Sequence, residues 1–142
     1  LGRKSKYEKR DYLKQFKIGK ATYSESLIYE AYGGLQNDGI MLAVYYDVDA
    51  AKIIHQLDSW EKINDSPTIS SILKNVSSYF GLDFVIPEIA SGNFFLYDNS
   101  QHKELRSEAE MNTLLLHSED VNFSLVVWDD EKHTIYIVEY RI

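Results

Sequence analysis

The sequence contains no cysteine, and its 142 residues include only 2 prolines and 7 glycines. Without cysteine the chain has no disulfide framework, no thiol nucleophile and no thiolate ligand for a metal. No window approaches the roughly 18 uncharged apolar residues that a membrane-spanning helix needs. No repeat, low-complexity stretch or linker divides the chain after residue 21. The hydrophobic fraction of 44% and the charged fraction of 26% are ordinary for one globular domain.

The charge of the chain changes sign along its length. Residues 1–20 carry eight Lys or Arg and two acidic side chains, whereas the other 122 residues carry 7 basic and 20 acidic ones, within a net charge of −7. We therefore predict a basic N-terminal arm over 1–20 and a single domain over 21–142. Such an arm is typical of an interaction tail, a membrane-proximal stretch or a segment folded back on its own domain. The acidic body argues against a nucleic-acid partner, because Lys and Arg make the contacts to phosphate.

A glycine-rich stretch, AYGGLQNDGI over residues 31–40, separates two strand patterns. Residues 25–32 alternate as in a strand, and residues 40–46 are apolar at both parities, as in a central strand covered on both faces. Loops that bind phosphate lead from a strand into a helix, and no helix pattern follows here. Asp38 and its neighbours instead favour a tight hairpin turn, with Gly33 and Gly34 at a bulge or a close backbone approach.

Two helices are predicted after these strands. Asp49 is a candidate N-cap for the first, and apolar residues recur at helical spacing over 50–57. The second has Ser66 as its N-cap, Pro67 at its first position and Gly81 at its end. The apolar stripe of the second helix predicts a role in the core rather than a cofactor site.

Three further strands are predicted at residues 93–98, 122–129 and 133–142, and the last two form a hairpin around 130–132. Residues 99–120 are polar, which predicts a long connection between two strands, with a helical turn over 104–115. We call this segment the polar excursion. The order β-β-α-α-β-β-β predicts an α+β fold: an antiparallel sheet of about five strands with two helices packed on one face.

Residue types that carry catalysis show no recognised spacing. The four histidines form no HExxH motif and no i, i+4 pair, although a metal site built from distant parts of the chain stays open. No GxSxG motif precedes a helix. The acidic run 129–131 is at a predicted turn and favours a solvated role, and an outward-facing position explains Glu139 in the last strand. The sequence therefore predicts no catalytic residue, no cofactor and no metal site, and it favours a protein that is not an enzyme.

Aromatic residues are frequent, with 11 Tyr and 2 Trp. Tyrosine beside Asp and Asn suits a surface that binds sugars or a protein, although tyrosine is also a good strand residue on half-buried faces. We expect Trp60 to fill the gap beneath the first helix. The predicted contact residues come from the glycine-rich stretch and from the polar excursion: Tyr32, Gln36, Asp38, His102 and Arg106.

Four segments of the chain, in order, resemble a group of small, uncharacterised proteins of Gram-positive bacteria: YGGLQNDGIMLAVYY, Trp60, IPEIASGNFFLYDN and NFSLVVWDDEKHTIYIVEY. Members of the group carry an HGGFHGDG-like stretch, a tryptophan, an IP-NGYYFF-like strand and an NFT-AIYD-LYYYEL-like hairpin, and typically a short N-terminal membrane anchor. The resemblance covers 31–142 and implies a shared fold and an extracytoplasmic, membrane-associated location. Where the group has histidines beside the glycines, this chain has Tyr32 and Gln36, so a role of those histidines does not transfer.

The leading interpretation is a non-catalytic binding or interaction domain with a protein or small-molecule partner. It would be tethered outside a bacterial membrane by an anchor that precedes Leu1. One alternative is a cytoplasmic immunity or inhibitor protein whose acidic body covers a basic site on a toxin or nuclease, because complementary charge speeds association. Another is a small hydrolase with an unrecognised site, such as Asp38 with Glu139 and a histidine.

Overall fold

An antiparallel sheet forms the centre of the computed structural model, which describes residues 3–4, 12–33, 38–64, 66–81, 86–116 and 121–141. Its strands are β1 (Arg3–Lys4), β2 (Glu25–Gly33), β3 (Asp38–Tyr46), β4 (Glu61–Lys62), β5 (Gly92–Asp98), β6 (Lys103–Leu105), β7 (Asn122–Asp129) and β8 (Thr134–Arg141). The helices are α1 (Tyr12–Gln15), α2 (Ile54–Ser59), α3 (Pro67–Phe80) and α4 (Glu108–Leu116), and a 3-10 turn spans Ala50–Lys52. The strand order across the sheet is β1-β2-β3-β8-β7-β5-β4, with β6 also paired to β5.

The predicted α+β class and the order of the long elements are confirmed. In chain order, β2, β3, α2, α3, β5, β7 and β8 reproduce the predicted series. The polar excursion is shorter than its composition suggests, because β6 and α4 occupy much of 99–116 and residues 117–120 lie outside the described part of the chain.

The glycine-rich stretch connects two strands, as the hairpin interpretation requires. Pairing between β2 and β3 runs without interruption from Glu25 opposite Tyr46 to Gly33 opposite Asp38. The described part of this hairpin therefore contains no bulge. Residues 34–37, which include Gly34 and Gln36, lie outside the described residues.

Both faces of the sheet are covered, and different helices cover them. On one face, Leu42 and Val44 of β3 pack in a cluster with α3 and α4. On the other, Met41 and Ala43 pack with Leu57 of α2 and with the segment that precedes β2. The prediction of a central strand buried on both sides is confirmed.

The prediction that the two helices lie on one face is wrong, because α2 and α3 lie on opposite faces. The chain between them forms β4, whose Glu61 and Lys62 pair with β5 at the edge of the sheet. The chain passes around that edge between the two helices. Helical periodicity identifies an apolar face on each helix, but it does not say which side of the sheet receives it.

Three residues of the predicted basic arm belong to the core. Tyr12, Leu13 and Ile18 are 1%, 2% and 1% exposed and join the cluster on the α2 face of the sheet. The hydroxyl of Tyr12 also donates a hydrogen bond to Glu30 of β2 over 3.3 Å. These three residues therefore pack with residues of the predicted domain over 21–142.

Capping chemistry defines the longest helix as predicted. The hydroxyl of Ser66 accepts a hydrogen bond from the backbone N–H of Ile69 over 3.3 Å, and Gly81 ends α3 with a φ of 58°. Ser66 also donates to the carboxylate of Glu108, and Thr68 donates to its other oxygen over 2.5 Å. This carboxylate ties α4 to the N-terminus of α3, where a negative charge is favourable.

Candidate functional site

A groove of about 350 Å³ opens on the α2 face of the sheet, between α1, α2 and the strands β5 and β6. Its volume is within the range of small-molecule sites. Three groups of residues line it. Gln15, Phe16 and Lys17 come from the end of α1, and Gln56, Ser59 and Trp60 come from α2 and the residue after it. Phe95 of β5, Glu104 of β6 and Arg106, which follows β6, form the third side. Its lining combines aromatic rings, amides and charges of both signs.

The α1 wall of the groove is set by the way this short helix ends. Lys17 takes a left-handed conformation with a φ of 64°. The backbone N–H of Ile18 then donates to Leu13 over 2.8 Å, and that of Lys17 donates to Lys14 over 3.0 Å. This pair of bonds is a Schellman motif, which reverses the chain after a helix and brings apolar residues into contact behind it. Leu13 and Ile18 are both buried, so the end of α1 is fixed on the sheet.

Aromatic rings form the opposite wall and part of the floor. Trp60 follows α2 in an extended conformation, and its ring centroid is 6.3 Å from that of Phe95. Tyr97, two residues along the same strand, stacks with Phe95 at an interplanar angle of 10°. All three side chains are partly exposed. Trp60 does help to cover α2, but part of its surface faces the groove.

Arg106 closes the groove at the sheet edge. Its guanidinium donates to Glu61 over 3.1 Å, to Glu104 over 3.0 Å and to the carbonyl of Ser59 over 3.4 Å. The hydrogen bond to Glu61 and then the charge of Glu104 raise the pKa of Arg106 above its usual value. The side chain is 49% exposed. Exposed ion pairs are weak, so these two contacts position the guanidinium and add little to the stability of the fold.

The backbone beside Arg106 is held by a capping box at the start of α4. Glu110 accepts hydrogen bonds from the backbone N–H groups of Ser107 and Arg106, each over 3.2 Å, while Ser107 accepts one from the N–H of Glu110. Lys103 also approaches the Glu110 carboxylate, at 3.3 Å. These contacts lower the pKa of Glu110 from 4.5 to about 2. The hydrogen bond from the backbone N–H of Ser107 contributes most, and those from Arg106 and Lys103 add to it.

Replacing Glu110 by glutamine is expected to flatten the acid end of the stability profile. Because the folded-state pKa of Glu110 is lowered, its charge stabilises the fold above about pH 4.5, and that contribution is lost as the pH falls towards about 2. The free energy of unfolding, measured by urea denaturation across this window, should therefore fall less steeply in Glu110→Gln than in the wild type. Glu131→Gln, at the exposed β7–β8 turn, should keep the wild-type slope; equal slopes in all three proteins would contradict the prediction.

Glu139 is buried, so the outward-facing interpretation of this residue is wrong. It is 4% exposed on the α2 face of β8, and it accepts a hydrogen bond from the side chain of Gln15 over 3.0 Å. Arg141 lies 3.9 Å away on the same strand. The cost of burying a carboxylate is reduced by such partners. Gln15 also lines the groove, so this bond joins the groove wall to the centre of the sheet.

The predicted contact residues fall in two separate places. Arg106 lines the groove, and His102 is exposed in the β5–β6 turn with a φ of 54°, outside the groove lining. Tyr32 belongs to β2 and Asp38 to β3, which are five and four strand spacings from β6, or about 24 Å and about 19 Å. Gln36 lies outside the described residues. The structure therefore does not bring Tyr32 and Asp38 together with Arg106.

Most residues of the groove were missed in the sequence. Gln15, Phe16 and Lys17 lie in the predicted basic arm, and Phe95 lies in a predicted strand without a further signal of a site. One signal of the groove is present in the sequence. Phe95 and Tyr97 are two residues apart in a strand, so their aromatic rings lie on the same face of β5.

The groove residues with catalytic chemistry are engaged in structural contacts. The hydroxyl of Ser59 donates to the carbonyl of Gln56 over 2.7 Å, and Glu104 is paired with Arg106. Within the described ranges, no three His, Asp or Glu side chains are grouped as metal ligands would be. The arrangement of the groove is suited to holding a ligand by stacking and hydrogen bonds.

Comparisons of the chain with models of protein families, with curated proteins and with solved structures gave no match. Among the described residues, none of the helices has the length and apolar character to cross a membrane. The extracytoplasmic location stays a prediction.

Proposed function

We propose that this chain is a non-catalytic binding domain and that its ligand occupies the groove between α1, α2 and the β5–β6 edge. The observation that carries the proposal is the pairing of a partly exposed aromatic wall, Trp60 and Phe95, with the guanidinium of Arg106 across one concave surface. Binding sites commonly combine apolar area with a few oriented polar groups. Tryptophan and arginine are also the residue types that contribute most to binding energy.

Contacts within the protein hold the walls of the groove in place, and a preformed site favours ligand affinity. Its α1 wall is held by the Schellman motif and by the bond from Gln15 to Glu139, and its edge is held by the capping box of α4. A preformed site avoids the entropy loss of ordering loops when the ligand binds. These contacts support a rigid receptor for a small or extended ligand.

The proposal is tested by titrating the ¹⁵N-labelled protein with a library of small polar and aromatic compounds and following chemical shifts. We expect the compounds that bind to shift the indole N–H of Trp60 and the signals of Phe95 and Arg106. The variants Trp60→Ala and Gln56→Ala should each weaken these compounds, Trp60→Ala by about tenfold or more. Gln56→Ala leaves the apolar core intact, so a loss of binding there is not a loss of folding.

The matched control is Tyr79→Ala, which removes an aromatic ring that is 40% exposed on α3, on the other face of the sheet. It should leave the affinities unchanged. Shifts confined to the β2–β3 hairpin would contradict the groove and support contact at Tyr32 and Asp38. Shifts confined to the acidic β7–β8 turn, around Asp130 and Glu131, would contradict it as well.

A further inference from the structure

We propose that the ligand of the groove is a neutral oligosaccharide; this inference rests on the proposed binding function and names its ligand class. Trp60 and Phe95 line the groove with ring centroids 6.3 Å apart, and Tyr97, which stacks on Phe95 with a centroid separation of 6.2 Å, lies just beyond the lining. The flat, apolar side of a pyranose ring packs on an aromatic face, and all three rings are partly exposed. A run of aromatic side chains that continues past the groove suits consecutive sugar units rather than a single one.

The polar groups of the groove match sugar hydroxyls, which both donate and accept hydrogen bonds. Arg106 offers a planar fork of donors, Glu104 offers acceptors, and the side-chain amides of Gln15 and Gln56 supply both kinds. Planar groups with two adjacent polar atoms can bond two neighbouring hydroxyls at once, as a guanidinium bonds both oxygens of a carboxylate. These groups surround the aromatic wall, so a stacked sugar ring would have its hydroxyls directed towards them.

The charge balance of the groove argues for a neutral ligand. Among the described residues, the two cations of the lining, Lys17 and Arg106, are balanced by two carboxylates, Glu104 in the lining and Glu61 beside it. A nucleotide would also stack on the aromatic rings, but its phosphates favour a site with an excess of positive charge, and this groove has none. An apolar ligand would leave the charged and amide groups without partners. A polyhydroxylated, uncharged chain satisfies both the aromatic and the polar sides.

Tryptophan fluorescence gives a direct test, because Trp128 is 1% exposed and a ligand in the groove would contact Trp60. The full chain is titrated separately with maltohexaose, cellohexaose and chitohexaose, and each response is repeated by calorimetry. We expect at least one to bind saturably with a Kd of about 1 mM or tighter. That affinity should be nearly unchanged between about 0.05 M and about 0.5 M salt, because screening acts on charged ligands.

The variants separate stacking from folding. Trp60→Ala should weaken the bound hexasaccharide by about tenfold or more, whereas Trp60→Phe, which keeps a flat ring, should recover most of the affinity. Tyr79→Ala should bind as the wild type does. A hexagalacturonate probe, the acidic counterpart, should bind no more tightly than the neutral chains.

The remaining outcomes overturn the inference. Acidic hexagalacturonate that binds about tenfold tighter and is weakened by salt would show that the site selects an anion. Failure of all three neutral chains, with small compounds still shifting Trp60 and Arg106, would reject the sugar and leave the binding domain standing. Failure of both kinds of titration would reject the proposed function together with the inference.

Discussion

Leu13→Ala is expected to lower the free energy of unfolding by about 2–5 kcal/mol, the range for removing a buried leucine side chain. Leu13 is 2% exposed in a helix of only four residues, and its side chain packs in the cluster that also contains Met41 and Ala43 of the central strand. Truncation would leave a cavity on the sheet and weaken the Schellman motif, in which Leu13 and Ile18 meet. The loss would be a large fraction of the stability of an ordinary domain.

Urea unfolding of the purified protein measures this effect. Lys20→Ala is the matched control, because Lys20 belongs to the same segment and is exposed. The substitution removes one positive charge of the predicted basic arm and no buried side chain. It should change stability by no more than about 0.5 kcal/mol. If Leu13→Ala also stays within that margin, residues 12–20 are not part of the cooperative core.

Gly92→Ala is expected to cost about 2–5 kcal/mol, through backbone strain and overlap at a sheet position without free space. Gly92 begins β5 with a φ of 157°, opposite Asp129. A Cβ atom there would overlap the backbone carbonyl oxygen of Trp128, which is not at the end of a flexible side chain and cannot turn away. The carbonyl of Gly92 also accepts a hydrogen bond from Ile63 over 3.1 Å, so a shift of β5 would disturb the chain next to β4.

The control for Gly92 is the glycine at the end of α3. Gly81 has a φ of 58°, and among the described residues a Cβ atom there would meet nothing within 4 Å apart from its own neighbours in the chain and in α3. Gly81→Ala should therefore cost only the left-handed backbone penalty, about 1–2 kcal/mol. Thermal and urea unfolding of both variants compare the two costs. A Gly92→Ala protein that is as stable as Gly81→Ala, or more so, would contradict the close approach to Trp128.

The candidate site was only partly accessible from the sequence. Arg106, predicted as a contact residue from the polar excursion, lies in the groove, but Asp38 and Tyr32 are on strands four and five spacings away from β6. The prediction groups them because they come from the glycine-rich stretch and the polar excursion, the two segments expected to form the contact surface. Turns that are distant along a sheet meet only if the strand order brings them together, and the order β3-β8-β7-β5 separates them here.

Glu139 shows the same limit within a single strand. The sequence favours an outward-facing position for Glu139, because no pattern in it indicates that Gln15, 124 positions earlier, covers this side chain. The sequence contains both side chains, and no local pattern connects them. Whether a carboxylate on a sheet is solvated or buried depends on what docks above it.

The sequence by itself determined the elements and their order: the β2–β3 hairpin, the capped helix from Pro67 to Gly81, and the closing β7–β8 hairpin. Turn chemistry, caps and periodicity act over a few residues, so they can be read locally. Only the tertiary structure decided that α2 and α3 cover opposite faces, that Leu13 and Ile18 join the core, and that a groove forms beside Trp60. The physical reason is that β3 is apolar on both sides, so its pattern accepts a helix on either face, and the path of the chain around β4 selects between them.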